Sequence, residues 1–136
     1  VDELIEFLNL RYKEDADIAL DVPNQRWEAT PSWGVQTFSG KVGPFKITPE
    51  PVADSCRMPG AAAHMARHDP DRELREVMAK RRVVEHYVAT RRALAAAEGT
   101  PLEAALKIRL GAYENAVRIL GAVYADHADY RMEWAA

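Results

Sequence analysis

Glu98-Gly99-Thr100-Pro101-Leu102-Glu103 is the stretch whose reading decides the fold. Glycine suits the left-handed position just past a helix end. Threonine as a cap, proline at the first helical position and glutamate at the third then open a new helix. The six residues therefore read as the turn between two helices. Upstream, Asp69-Pro70 supplies another cap followed by proline, so a long helix is expected from Pro70 to about Glu98. Its apolar seam is Leu74, Val77, Val84, Val88 and Ala95, interrupted by Arg81 and Arg91. Downstream, Leu106, Leu110, Tyr113, Val117, Leu120 and Tyr124 share one stripe, which takes the last helix to about Tyr124. A turn this short makes the two helices an antiparallel hairpin.

Toward the N-terminus, Leu4, Ile5, Leu8, Tyr12, Ile18 and Ala19 recur mostly at three- and four-residue spacing. An amphipathic helix is expected over residues 2–20, closed by Asp21 and Pro23. From Arg26 to about Ser55 the texture changes to Trp27, Trp33, Val35, Thr37, Phe38, Val42, Phe45, Ile47 and Val52, broken by glycines and prolines. Ser39-Gly40-Lys41 reads as a hairpin turn between Gly34–Phe38 and Val42–Ile47, within an antiparallel sheet of two or three strands. Gly60–Arg67 reads as a short alanine-rich helix. The fold class is thus α+β: N-terminal helix, small antiparallel sheet, short helix and long antiparallel helical hairpin. Residues 1–136 are expected to form a single domain, with helix and sheet in 1–58 and hairpin and tail in 59–136. A helix over 70–98 is about 43 Å long, and its seam of Leu74, Val77, Val84 and Val88 is offered as a homodimer surface.

Composition excludes several classes. A formal charge of −3 creates no global field for nucleic acid or an anionic membrane, and is too small for a DNA mimic. Cys56 is the only cysteine, so one chain can form neither an internal disulfide nor a zinc site of several thiolates. No apolar run approaches the roughly 20 residues of a membrane span. The opening Asp2 and Glu3 bring no basic leader, so a cytoplasmic location is expected. Lys80-Arg81-Arg82 and Arg91-Arg92 are interleaved with Glu73, Glu76 and Glu85, which reads as a solvated face rather than a nucleic-acid or phosphate site. No Gly-rich phosphate loop, nucleophile elbow or kinase signature is present. Trp27, Trp33 and Trp134 read as core or interface anchors.

Residues capable of chemistry cluster in two places, His64-Met65-Ala66-Arg67-His68-Asp69-Pro70-Asp71 and Tyr124-Ala125-Asp126-His127-Ala128-Asp129-Tyr130. His64 and His68 stand one helical turn apart, the spacing by which a helix offers two nitrogens to zinc or a similar divalent ion. Met65 occupies the position where a zinc protease needs its glutamate, so that reading fails. Further ligands are sought in His127 and Asp126, with Asp69 as another carboxylate. The plainer reading makes His68 the cationic end of a helix, Asp69 a cap, and Asp126 and Asp129 turn formers.

Met65-Ala66-Arg67-His68-Asp69-Pro70-Asp71-Arg72-Glu73-Leu74, continuing to Lys80-Arg81-Arg82, resembles the signature of a group of short uncharacterised proteins, a domain of unknown function. That group occurs in actinobacteria, their phages and prophages. The tail from Tyr124 to Trp134 is similar to its ending, apart from Ala128 where proline is expected. Phe7-Leu8, Arg11, Glu14-Asp15 and Trp27 also fit, whereas residues 31–60 match poorly and 83–123 look individual. The resemblance implies a phage-linked or accessory setting and no particular activity. A tail folded back along the hairpin is expected to bring His127 and Trp134 to the His64–Asp71 corner. Two functions are carried forward. One is an interaction module without catalysis of its own, binding a host or phage protein. The alternative is a metal-binding domain or metal-dependent enzyme using His64, His68 and His127.

Overall fold

Asp69 does more than cap a helix. In a computed structural model, which describes residues 1–58 and 60–136, its Oδ1 accepts the Arg72 amide at 2.8 Å and its Oδ2 the Trp27 amide at 3.2 Å. One buried carboxylate therefore ties a helix start to a strand start. The Asp71 amide adds a bond to the Gln25 carbonyl at 3.1 Å.

The elements are α1 (Asp2–Leu20), β1 (Trp27–Ala29), β2 (Val35–Thr37), β3 (Gly40–Val42), β4 (Phe45–Ile47), β5 (Pro51–Ala53), α2 (Ala61–Arg67), α3 (Pro70–Ala96) and α4 (Glu103–Gly121), then short 3₁₀ turns at Ala122–Tyr124 and Met132–Trp134. This is the expected α+β fold with its long helix pair. The chain divides into two compact units, Val1–Glu14 with Val77–Ala136, and Asp15–Glu76. The division falls inside α1 and α3, away from the change of texture near residue 58; Pro59 itself lies outside the described residues. A helix propagates through its own backbone bonds, so what its side chains bury against can change along its length.

In the unit of 15–76, β1, β2 and β5 form an antiparallel sheet in the order β1-β2-β5, and β3 pairs with β4 in a separate ribbon. Val35 and Thr37 are buried while Gln36 between them is half-exposed, the two-residue alternation of a strand with one covered face. Thr37 and Glu50 clamp β2 to the β5 side: Thr37 donates its amide to the Glu50 carbonyl, and its Oγ1 accepts the Glu50 amide at 2.8 Å. The short helix α2 packs on β1 and β2.

The hairpin turn is displaced from the expected Ser39-Gly40-Lys41. Val42 pairs with Phe45, which leaves Gly43-Pro44 as the turn. Gly43 has φ 59, the positive value a type II′ turn needs at its first central position, and proline supplies the negative φ at the second. Ser39 instead donates its hydroxyl and amide to Glu28 Oε1, which also accepts Gln36 Nε2 at 2.7 Å. The Ser39 hydroxyl, then the Gln36 amide, hold the Glu28 carboxyl below its ordinary 4.5.

In the other unit, contacts give the helix directions. His86 stacks on Tyr113 at 5.6 Å, two positions almost equally far from Gly99, as an antiparallel α3–α4 hairpin requires. Asp2 pairs with Arg91, and Arg81 donates to the Tyr12 carbonyl at 3.2 Å, so α1 runs antiparallel to α3. Leu4 lies against Gly121 and Phe7 against Tyr124, so α1 runs parallel to α4. Leu4, Phe7, Leu8, Tyr12, Val77, Val84, Tyr87 and Val117 are buried here. Val77 and Val84 are thus core residues, while Leu74 and Val88 of the same α3 seam are half-exposed.

The α3–α4 turn also differs in detail. Thr100 turns its hydroxyl back onto the Ala97 carbonyl at 2.7 Å and α4 starts at Glu103, which reaches back to the Gly99 amide at 2.8 Å. The expected capping box is not formed, because Glu103 bonds the amide of Gly99 and not that of Thr100. Lys107, then the Gly99 amide, hold the Glu103 carboxyl below its ordinary value.

Asp69→Ala should destabilise the protein by about 1–2 kcal/mol through the lost cap, with more from the abandoned Trp27 amide. Urea unfolding measures it, and Asp69→Asn should recover the cap but not the strand bond. Glu28, with its folded pKa lowered, stabilises the fold above its unfolded pKa and loses that contribution as pH falls through the folded value. An NMR titration should find Glu28 below 4.5 and moving up in Ser39→Ala.

Candidate functional site

The C-terminal motif folds onto α1 within one unit. Tyr124, His127, Tyr130 and Trp134 follow one another at three- and four-residue spacing, and all four rings meet Phe7. Their centroids lie at 6.1, 5.5, 6.2 and 5.1 Å, mostly edge-on. Such tilted and edge contacts are the favoured aromatic geometry. Two guanidiniums clamp the cluster. Arg11 lies 5.5 Å over Phe7 and Arg131 5.4 Å over Trp134. Arg131 also pairs with Glu3 at 2.6 Å, and Arg118 holds the Glu133 carbonyl at 3.2 Å. A groove of about 500 Å³ runs between α1 and the tail, edged by Glu6, Leu10, Arg11, Asp129, Arg131 and Trp134. Its rim alternates acid and base over an aromatic floor.

His127 is placed here by its ring contacts. Arg11 Nη1 approaches its Nε2, and the Asp129 amide points at Nδ1 from 3.1 Å. Both ring nitrogens therefore face N–H donors, of which a neutral ring can accept from only one. Asp126 is exposed in the same tail.

His64 and His68 lie in the other unit. Both are exposed on α2, with ring centroids 4.5 Å apart, so the i,i+4 geometry read from the sequence is realised. Asp69 beside them is committed to two backbone amides, as described above. Among the described residues, no group of three or more His, Cys, Asp or Glu is arranged to hold a metal ion. The basic stretch is divided as well: Arg81 and Arg91 are engaged by α1, and Asp2 raises the Arg91 guanidinium above its ordinary value. No helix among the described residues is long and apolar enough to cross a membrane.

A second surface belongs to the unit of 15–76. The pairs Gly40–Ile47, Lys41–Lys46 and Val42–Phe45 divide the β3–β4 ribbon into two faces. One face carries Val42, Phe45 and Ile47. The other sets two lysines directly opposite each other, a like-charge pair that opposes the pairing. Val42 is 64% exposed and Phe45 75%. Beside them a pocket of about 350 Å³ is lined by Arg26, Phe38, Val42, Ile47 and Asp71, with the Arg26 guanidinium 4.4 Å over Phe38. Trp33 is also exposed and holds φ 64, rare for a bulky side chain. Of the three tryptophans, Trp134 is the core anchor, Trp27 is half-buried, and Trp33 faces solvent.

A family model matches residues 1–136. The chain belongs to DUF6221, a family of unknown function. The match runs through residues 31–60, which the motif resemblance left aside. Comparisons with curated proteins and with solved structures return no match. Within this family member, Phe7 is the residue that sequence reasoning undervalued. The signal was available in the regular aromatic spacing from 124 to 134, which needs one apolar receiver. The ribbon surface left a fainter trace, because Val42 and Phe45 read as ordinary strand interior.

Trp134→Ala should cost about 3–5 kcal/mol as a large buried aromatic. Hydrogen exchange should show the amides of 125–134 losing protection before those of α4.

Proposed function

We propose that this protein is a small cytoplasmic accessory protein, phage-linked in setting, that binds a host or phage protein and has no catalysis of its own. The observation that carries the reading is the β3–β4 ribbon, with Val42 and Phe45 paired across its strands and both more than half exposed. A two-stranded ribbon is marginal in water, and each strand has one edge without a neighbouring strand. Such an edge accepts an extended segment by strand addition, with main-chain bonds giving affinity and pockets giving specificity. The Lys41–Lys46 pair favours a segment with acidic side chains on one face, and the Phe38–Val42–Ile47 pocket favours an apolar side chain on the other.

A pull-down from host lysate should return one dominant partner. The paired substitution Val42→Ser/Phe45→Ser should lose it, and Lys41→Glu/Lys46→Glu should weaken it more at low salt than at high. These side chains are exposed, so thermal unfolding should change little. Retention of the partner by both variants removes the ribbon from the reading.

The metal-binding alternative is supported by the adjacent, exposed His64–His68 pair, whose ring centroids lie 4.5 Å apart. The pair supplies two imidazole nitrogens to zinc or a similar ion, the rest of whose shell would come from water or another molecule. Equilibrium dialysis against zinc should then show binding that His64→Ala/His68→Ala loses.

A further inference from the structure

The outer face of α4 carries no charge along its length. Ala104, Ile108, Ala112, Asn115 and Ile119 are exposed, and the step of eleven positions from Ile108 to Ile119 makes about three turns, so they form one stripe. Ile108 is 78% exposed and Ile119 56%. The opposite face, with Val117 and Gly121, is buried.

One border of this stripe is charged in a particular order: Glu103, Lys107, Glu114 and Arg118, at spacings of four, seven and four. The positions are symmetric about the Leu110–Gly111 peptide and the charges are antisymmetric. Reversing the helix about that point places Glu103 on Arg118 and Lys107 on Glu114. A two-fold axis that pairs two antiparallel helices keeps each border facing its own equivalent. The border is therefore complementary to itself in an antiparallel second copy.

Gly111 is the independent sign. Glycine inside a helix is destabilising relative to alanine. A Cβ built at Gly111 meets nothing within 4 Å, and its φ is not positive, so nothing within the chain requires glycine. It sits at the midpoint of the charge pattern, where two crossing helices approach most closely. In that register Ile108 of one copy lies over Gly111 and Ala112 of the other, and Ile119 reaches the exposed Leu102 end.

We infer that α4 is a self-association surface, pairing antiparallel with α4 of a second copy around Gly111. The existing Glu103–Lys107 and Glu114–Arg118 pairs, at 2.6 and 3.1 Å, then join into a ladder across the two helices. The surface is separate from the β3–β4 ribbon, so a failure of either proposal leaves the other standing.

Sedimentation equilibrium on the full chain, 15.2 kDa as a monomer, tests it. The wild-type chain should give twice that mass, and Ile108→Glu should weaken association at least tenfold with an unchanged circular dichroism spectrum. Gly111→Ala should raise the melting temperature of the dilute monomer while weakening association, a split that a merely structural glycine does not produce. Register is read by oxidation in a Cys56→Ser background. Gly111→Cys chains should crosslink to each other, and Ile119→Cys chains should not. A monomer at the highest soluble concentration, a dimer insensitive to Ile108→Glu, or crosslinking through Ile119→Cys would each overturn the proposal.

Discussion

The Asp69 carboxylate is the constraint on which the sheet-bearing unit depends. A helix start leaves amides without partners, and a strand start leaves another; this one buried group accepts from both. Pro70 belongs to the same device, because its missing N–H removes one of the donors that would otherwise need satisfying. With α3 and β1 joined, the Asp71–Gln25 bond, the Thr37–Glu50 clamp and the packing of α2 on β1 and β2 add to a fixed frame. The short strands, three residues each, need such outside support.

The helical unit rests on a different kind of contact. Phe7 receives four rings from the tail, and the arginines around it keep charge at the rim while their flat guanidiniums cover aromatic faces. The same packing gives the tail histidine a structural place. His127 fills an aromatic position with hydrogen-bonding nitrogens, and Asp129 shapes the turn that presents it. The ribbon and the outer face of α4 are among the surfaces that keep large apolar side chains in water, with Val42, Phe45, Ile108 and Ile119.

The helices were legible in the sequence because their signals are local. Asp69-Pro70 announced α3, Gly99 marked its end, and the stripe through Leu106, Leu110, Tyr113 and Val117 fixed the buried face of α4. The i,i+4 pairing of His64 and His68 was equally local and was realised. The ribbon turn was misplaced because two glycines compete within four residues; Pro44 decides between them, since only Gly43 can supply the positive φ beside it. Thr100 satisfied the cap pattern, yet its hydroxyl found the closer Ala97 carbonyl. The apolar seam of α3 was legible too, but no periodicity tells a partner within the chain from one outside it, and only Val77 and Val84 proved buried.

By itself, then, the sequence determined the α+β class, the helix hairpin and its punctuation, since capping, proline geometry and apolar spacing act within a few residues. Tertiary structure alone decided that Asp69 reaches a strand 42 positions away, that Phe7 gathers the tail, and that Val77 and Val84 are core while Ile108 and Phe45 are not. Burial depends on which distant face arrives opposite, and that is a property of the assembled chain.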